Sequence, residues 1–179
     1  MDKTKLNVGC GDDILDGYVN VDLAKRTGVD VVHDLTRFPW PLPSDHFKEV
    51  RVKDILEHLP DTIQTLEEVW RVSVAGAAVD IRVPYWNSRW AWMDPQHIRA
   101  FHEQTFDFFD PSKELCKQRP HYSHARLKID YVVFEGCWFW MGFPFERRVF
   151  QNKPSRCVHF LTRLCDTIHF MRFRLTVIK

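Results

Sequence analysis

Short β-branched runs alternate with turn residues over the first part of the chain. The pattern predicts four strands, over 5–8, 19–23, 29–33 and 47–52. Three prolines stand at positions 39, 41 and 43, and proline neither continues a helix nor donates a hydrogen bond to a central strand. We therefore predict an extended loop over 36–45.

Apolar side chains recur at helical spacing from Asp61 to Val72, which predicts a helix with Asp61 or Thr62 as its N-cap. Ala75-Gly76 is expected to break the helical pattern. A fifth strand follows over 77–83, stopped by Pro84. This order of strands, glycine turn and helix predicts an α/β fold with a Rossmann-like, mostly parallel sheet.

The second half is rich in aromatic residues between Tyr85 and Phe145. It contains a predicted strand over 128–139, an amphipathic helix over 155–168 and a last strand over 173–178. These late strands give the sheet an antiparallel C-terminal edge and about seven strands in all.

Few residues separate the first three predicted strands, whereas a parallel crossover with a full helix needs a dozen or more. We therefore expect the helices after strands one and two to be reduced. The sheet face beside these strands would then be bare, which favours a partner or a homodimer if that face is apolar.

The composition fits one globular domain over 1–179, with a first half at 5–84 and an aromatic-rich half at 85–179. The chain has 179 residues, 45% of them hydrophobic, without a signal-peptide pattern or a long apolar run. We expect a cytoplasmic protein with no membrane span. Its five cysteines form no C-x-x-C pair, so reduced thiols are expected.

The net charge of +1 excludes a strongly basic nucleic-acid protein but hides an asymmetry along the chain. Residues 12–61 carry eleven acids against six Lys and Arg, and residues 147–179 carry eight Lys and Arg against one acid. The basic end is either a solvated face or a surface for an anion.

A glycine turn, Gly9-Cys10-Gly11, directly follows the first strand, and Asp22 ends the second. Glycine lets the backbone approach a ligand closely, and such an acid can accept two hydrogen bonds from a ribose. A tight structural turn explains the glycines equally well. The turn lacks the third glycine of a dinucleotide site and the chain lacks a Tyr-x-x-x-Lys pair, which argues against NAD. A non-catalytic nucleotide-binding module stays open.

Five segments in order resemble the motifs of class I S-adenosylmethionine-dependent methyltransferases. They are Leu6 to Gly11, Tyr18 to Asp22, Val31 to Leu35, Ile55 to Asp61, and Arg71-Val72 before Ala75-Gly76. The likeness covers about residues 5–110. It is closest to a compact subgroup with an Asp-Pro-x-His-x-Arg-x-Phe segment, present here over 94–101.

The resemblance implies a site for S-adenosylmethionine (SAM) built from the ends of the first four strands. Gly9 and Gly11 would face its methionine part, Asp22 its ribose and Asp34 its adenine amine, with Leu35 packing on the ring. The segment from Asp54 to His58 would close over the sulfonium. The full implied set is Asn7, Gly9, Cys10, Gly11, Asp22, Leu23, Asp34, Leu35 and Asp54.

Methyl transfer to a hydroxyl requires orientation and a base. His97 is the first candidate because its segment follows the fifth strand, and His58 is a further catalytic candidate. Asp94 either orients the His97 ring or caps the turn before Pro95.

A metal-assisted alternative uses the same region. Asp54-x-x-Glu57-His58 resembles the Glu-x-x-Glu-His metal motif of ubiquinone-pathway and small-RNA 2′-O-methyltransferases, with His97 as the later ligand. This resemblance implies Mg²⁺ or Mn²⁺ on Asp54, Glu57, His58 and His97. It would favour an RNA or nucleotide acceptor.

The expected acceptor is a hydroxyl on a sugar, a glycan or another small molecule. Trp86, Trp90 and Trp92 offer faces that stack on a sugar or a base. The first strand lies almost at the start of this sequence, without the cap helices that often enclose the substrate, so we expect an open site. Nucleic acid is the second choice of acceptor.

Overall fold

The computed structural model describes residues 3–137, 144–149 and 168–179, which contain one eight-stranded mixed sheet. The strands are β1 (Lys5–Val8), β2 (Tyr18–Asp22), β3 (Val31–Val32), β4 (Phe47–Lys53), β5 (Ser73–Pro84), β6 (Arg126–Cys137), β7 (Pro144–Val149) and β8 (Ile168–Ile178). The α-helices in the described residues are α1 (Thr62–Val72) and α2 (Glu114–Gln118), and 3₁₀ turns cover Leu56–His58, Arg89–Ala91 and Thr105–Phe108.

The strand order is β3-β2-β1-β4-β5-β8-β6-β7. The first five strands of this order are parallel, whereas β8 is antiparallel to β5 and β6, and β7 is antiparallel to β6. The predicted α/β class and antiparallel C-terminal edge are confirmed. The sheet has eight strands where about seven were expected, and β7 pairs with β6 at its edge.

The predicted helix is confirmed, and the side chain of its N-cap Asp61 accepts a hydrogen bond from the Gln64 amide. Strand β5 begins at Ser73, directly after α1 and earlier than predicted. The interruption expected at Ala75-Gly76 lies within it, because the pairing with β4 skips from Ser73 to Ala78 and Gly76 adopts a positive φ of 76°. The third strand is shorter than predicted, and the predicted helix over 155–168 lies outside the described residues apart from Ile168, which begins β8.

One face of the sheet carries the core. Alternate residues of each strand are buried there, as the two-residue period of a strand requires. Examples on four strands are Leu6, Val8, Val50, Val52, Val79, Ile81, Phe173 and Leu175. Helix α1 packs on this face through Leu66 and Val69, and the connection after β5 adds Phe101 and Phe106.

The opposite face of the sheet is polar. Arg51 and Lys53 bind Asp13 at 2.8 and 2.9 Å, and Arg174 pairs with Asp80. Arg82 binds Glu135 at 2.9 Å. Charged pairs therefore line this face along β4, β5, β6 and β8, whereas the homodimer expected through the face beside β2 and β3 stays a prediction.

No helix occurs between β1 and β2 or between β2 and β3, where the structure describes every residue, which confirms the expected reduction. Two buried asparagines hold these short connections. Asn7 Nδ2 donates to the Asp13 carbonyl at 2.8 Å and to Asn20 Oδ1 at 3.0 Å. The Asn20 side chain also exchanges two hydrogen bonds with the backbone of Leu15. The side chains thus pair backbone groups that a helix would have paired internally.

Replacing Asn20 by alanine is expected to lower the free energy of unfolding by about 1–3 kcal/mol, since the buried Asn7 side chain and the Leu15 backbone lose hydrogen bonds. Chemical denaturation measures this change. Thr27→Ala, at an exposed position in the next connection, is the control and should change stability by less than about 0.5 kcal/mol. Equal stability of the two variants would contradict the role given to Asn20.

None of the helices in the described ranges is long and apolar enough to cross a membrane.

Candidate active site at the carboxyl edge of the sheet

The carboxyl ends of parallel strands meet at one edge of a sheet, where ligands of open α/β folds bind. Here β1, β2, β4 and β5 end at this edge. The ends of β1 to β5 and the connections that follow them contain the site residues predicted from the sequence.

The two positions of the first turn, Gly9 and Gly11, require glycine for different structural reasons. Both adopt positive φ, 63° at Gly9 and 51° at Gly11. A Cβ at Gly9 would lie 2.5 Å from Ile55 Cγ1, so this glycine lets the turn pack against the segment after β4. A Cβ at Gly11 would meet nothing within 4 Å, so open space lies beside its backbone. Gly11 is therefore the glycine that leaves room for a ligand.

Cys10 and Asn7 support the turn. Cys10 is buried, and burial raises the pKa of its thiol. Asn7 is also buried, and its amide nitrogen already binds Asp13 and Asn20.

Asp22 lies directly beside the turn. Its Oδ2 accepts from the Gly11 amide at 2.8 Å and its Oδ1 from the Ala24 amide at 2.9 Å. Each oxygen keeps a further lone pair that can accept from a hydroxyl. The next residue, Leu23, is 68% exposed and offers apolar surface beside this carboxylate. This edge therefore offers a pair of carboxylate acceptors, an exposed apolar side chain and open space beside the Gly11 backbone.

The acid after β3 is arranged differently. Asp34 Oδ1 accepts from the Thr36 amide and hydroxyl at 3.0 and 2.7 Å, and these bonds lower the pKa of Asp34. Leu35 is only 5% exposed and belongs to the core. Leu23, rather than Leu35, therefore presents an exposed leucine side chain at this edge.

Asp54, at the end of β4, adopts a positive φ of 51°, a strained conformation that is concentrated at functional sites. Its Oδ2 pairs with Arg82, whereas its buried Oδ1 has no hydrogen-bond partner in the described part of the chain. Burial raises the pKa of this carboxyl group, and Arg82 opposes the rise. The ion pair with Arg82 holds the Asp54 side chain toward β5.

Glu57, His58 and His97 form a compact cluster. One potential ligand atom from each lies within 4.8 Å of the others, and the two imidazole centroids are 4.6 Å apart. Glu57 is 1% exposed, and this burial raises its pKa to about 7. Burial lowers the pKa of His58, and the neighbouring His97 adds to this effect. The fold thus brings together three residues predicted from two separate motifs.

Backbone contacts hold the two halves of this cluster. The Ile98 amide donates to the Glu57 carbonyl at 2.9 Å, which ties the segment after β5 to the segment after β4. Asp94 Oδ1 caps a turn by accepting from the Gln96 amide at 2.8 Å. Asp94 Oδ2 lies 3.9 Å from His97 Nε2, which is beyond hydrogen-bond length. Asp94 therefore shapes the turn and places a negative charge near the ring.

The three tryptophans after β5 differ in exposure. Trp92 is 65% exposed, and its Nε1 donates to the Trp86 carbonyl at 2.9 Å. Trp90 is partly covered by Phe170, and Trp86 packs against the core. Trp92 is thus the one of the three with most of its ring free.

No protein-family profile matches this chain, and no curated protein is similar to it at a significant level. Solved structures are similar in fold. A SAM-dependent methyltransferase from Archaeoglobus fulgidus has a TM-score of 0.60 at 18% identity, covering 96% of this chain and 85% of that one. One from Thermotoga maritima has a TM-score of 0.60 at 13% identity, covering 98% and 82%.

A third similar structure is a complex between the Haloferax volcanii Trm112 methyltransferase activator and a methyltransferase, with a TM-score of 0.53, 13% identity and coverage of 98% and 82%. The likeness spans almost the whole chain in each case, and the predicted resemblance is confirmed at the level of structure. This chain has the class I Rossmann fold of the SAM-dependent methyltransferases.

Proposed function

We propose that this protein transfers a methyl group from SAM to a hydroxyl of a sugar or glycan. The observation that carries the proposal is the Glu57-His58-His97 cluster, which lies at the same sheet edge as the glycine turn and Asp22. A turn with open space beside its backbone and a group able to take a proton then share one edge.

The chain's own residues would hold SAM through three kinds of contact. Asp22 would accept hydrogen bonds from the ribose hydroxyls, because both of its oxygens are already oriented by backbone amides. Leu23 would cover one face of the adenine, and Asp34 would lie near the adenine amine. The open space at Gly11 would admit the methionine part.

The bound SAM supplies a methyl group attached to a positively charged sulfur. In the transfer the acceptor oxygen would bond to the methyl carbon as the carbon–sulfur bond breaks, with S-adenosylhomocysteine as the leaving group. His97 would accept the hydroxyl proton, with the His58 ring beside it and the Asp94 carboxylate 3.9 Å from its Nε2. The protein's contribution is orientation and this proton transfer.

The exposed ring of Trp92 supports a sugar acceptor. An aromatic face stacks on the apolar face of a sugar ring, and Trp92 belongs to the same connection as His97. The proposed stacking residue and the proposed base therefore belong to one connection.

Calorimetry of the full chain with SAM, S-adenosylhomocysteine and NAD tests the cofactor assignment. We expect the first two to bind and NAD not to bind. Transfer of a labelled methyl group is then measured with oligosaccharides, nucleotide sugars and RNA. A folded protein that binds SAM but methylates none of these acceptors would favour a non-catalytic binding module, and transfer to RNA alone would replace the sugar by a nucleotide hydroxyl.

A further inference from the structure

We infer that Glu57, His58 and His97 together hold one divalent transition-metal ion, and that the acceptor hydroxyl binds to this ion. The inference rests on the proposed function and changes one part of it, namely how the hydroxyl loses its proton.

The spacing of the donor atoms suits an ion. Nitrogen and oxygen ligands bind such ions at about 2.0–2.2 Å, so ligands of one ion lie within about 4.4 Å of each other. The candidate atoms of Glu57, His58 and His97 lie within 4.8 Å of one another. Small side-chain rotations would therefore complete the coordination.

Two buried atoms of the cluster are available to bind a cation. Glu57 Oε2 and His97 Nδ1 are both buried, and neither has a hydrogen-bond partner among the residues that the structure describes. Glu57 is 1% exposed, so water does not readily compensate its carboxylate. A buried carboxylate is costly unless a cation or several donors face it. A bound ion would satisfy Glu57 Oε2 and an imidazole nitrogen at once.

The ligand positions are held before any ion binds. His58 lies in the 3₁₀ turn Leu56–His58, whose end is fixed by the hydrogen bond from the Leu59 amide to the Leu56 carbonyl. The His97 amide donates to the Asp94 carbonyl at 3.1 Å. Together with the Ile98 to Glu57 backbone bond, these contacts keep both segments in place. Such support is what a metal site requires.

The ligand set selects the kind of ion. Two imidazoles and one carboxylate suit Mn²⁺, Fe²⁺, Co²⁺ or Zn²⁺, whereas Mg²⁺ prefers oxygen ligands alone. Asp54 lies outside the cluster because its Oδ2 pairs with Arg82. The site therefore has three protein ligands rather than the four of the sequence-based alternative. Three ligands leave positions open for an acceptor hydroxyl, whose pKa the ion would lower.

The experiment is a calorimetric titration of the chelator-treated full chain with Mn²⁺, with Mg²⁺ as the comparison ion. We expect one Mn²⁺ per chain and at least about tenfold weaker Mg²⁺ binding. Glu57→Gln and His97→Ala should each weaken Mn²⁺ binding by roughly tenfold or more. His102→Ala is the matched control, because His102 is a half-exposed histidine paired with Glu103 outside the cluster, and it should leave Mn²⁺ binding unchanged.

Co²⁺ absorption provides a second readout. Cys10 and Cys116 are free thiols, and a thiolate ligand would add an intense sulfur-to-metal charge-transfer band. We expect that band to be absent. Its presence, a lack of Mn²⁺ binding, or equal Mn²⁺ affinity in the wild type, Glu57→Gln and His97→Ala would overturn the inference.

SAM affinity measured in the same samples separates the two proposals. SAM binding without Mn²⁺ binding would overturn the metal site and leave His97 as the base. Mn²⁺ binding that depends on Glu57 and His97, without SAM binding, would overturn the proposed methyl transfer instead.

Discussion

Replacing His97 by alanine is expected to lower the rate of methyl transfer by about 100- to 10,000-fold, the usual contribution of a positioned proton-transfer group. SAM affinity should change by less than about threefold, because Asp22 and the glycine turn lie on other connections. The two measurements are single-turnover methyl transfer and calorimetric SAM binding. The loss is expected whether His97 takes the proton itself or holds an ion that activates the hydroxyl.

The control for this variant is His102→Ala, which removes an imidazole from the same connection after β5. Its activity should stay close to that of the unmodified protein. If His97→Ala lost SAM binding and methyl transfer to the same extent, His97 would be a structural residue. Circular dichroism of both variants shows whether the fold is retained.

Replacing Asp22 by alanine is expected to weaken SAM binding by roughly tenfold or more, the scale of one lost hydrogen bond to a charged group. Two effects act in the same direction. The ribose loses its carboxylate acceptor, and the Gly11 and Ala24 amides lose the group that orients them. The turn then becomes less well ordered beside the methionine part of the cofactor.

Asp12→Ala is the matched control, because it removes one negative charge from the same turn. The Asp12 side chain is 92% exposed and pairs with Arg26, so its loss should change SAM affinity by less than about threefold. Asp22→Asn should fall between Asp22→Ala and the unmodified protein, since the amide keeps one oxygen acceptor. Unchanged SAM affinity in a folded Asp22→Ala protein would remove Asp22 from the ribose site.

The order of the elements could be predicted from local signals alone. Alternation of apolar and polar residues marks β1, β2, β4 and β5, and the N-cap Asp61 marks the start of α1. The interruption expected at Gly76 also follows from local chemistry, because the ladder with β4 skips from Ser73 to Ala78 and leaves this glycine at a positive φ. The early start of β5 depends on the pairing of Ser73 with Phe47 of β4, which no local signal contains.

The role of the polar strand residues depended on the tertiary structure. Nothing in the sequence assigns hydrogen-bond or ion-pair partners to Asn7, Asn20, Arg51 and Arg82. Their partners come from other strands and connections, so these pairs form only when the sheet assembles.

The sequence by itself determined the Rossmann-like order of elements, the short connections without helices and the residue types at the sheet edge, since these depend on neighbours in the chain. Only the tertiary structure decided that Glu57 and His58 meet His97, that Asp54 turns to Arg82, and that Leu23 is exposed while Leu35 is buried. The physical reason is that β4 and β5 pair side by side, which brings segments about forty residues apart to one edge and buries the Glu57 side chain there.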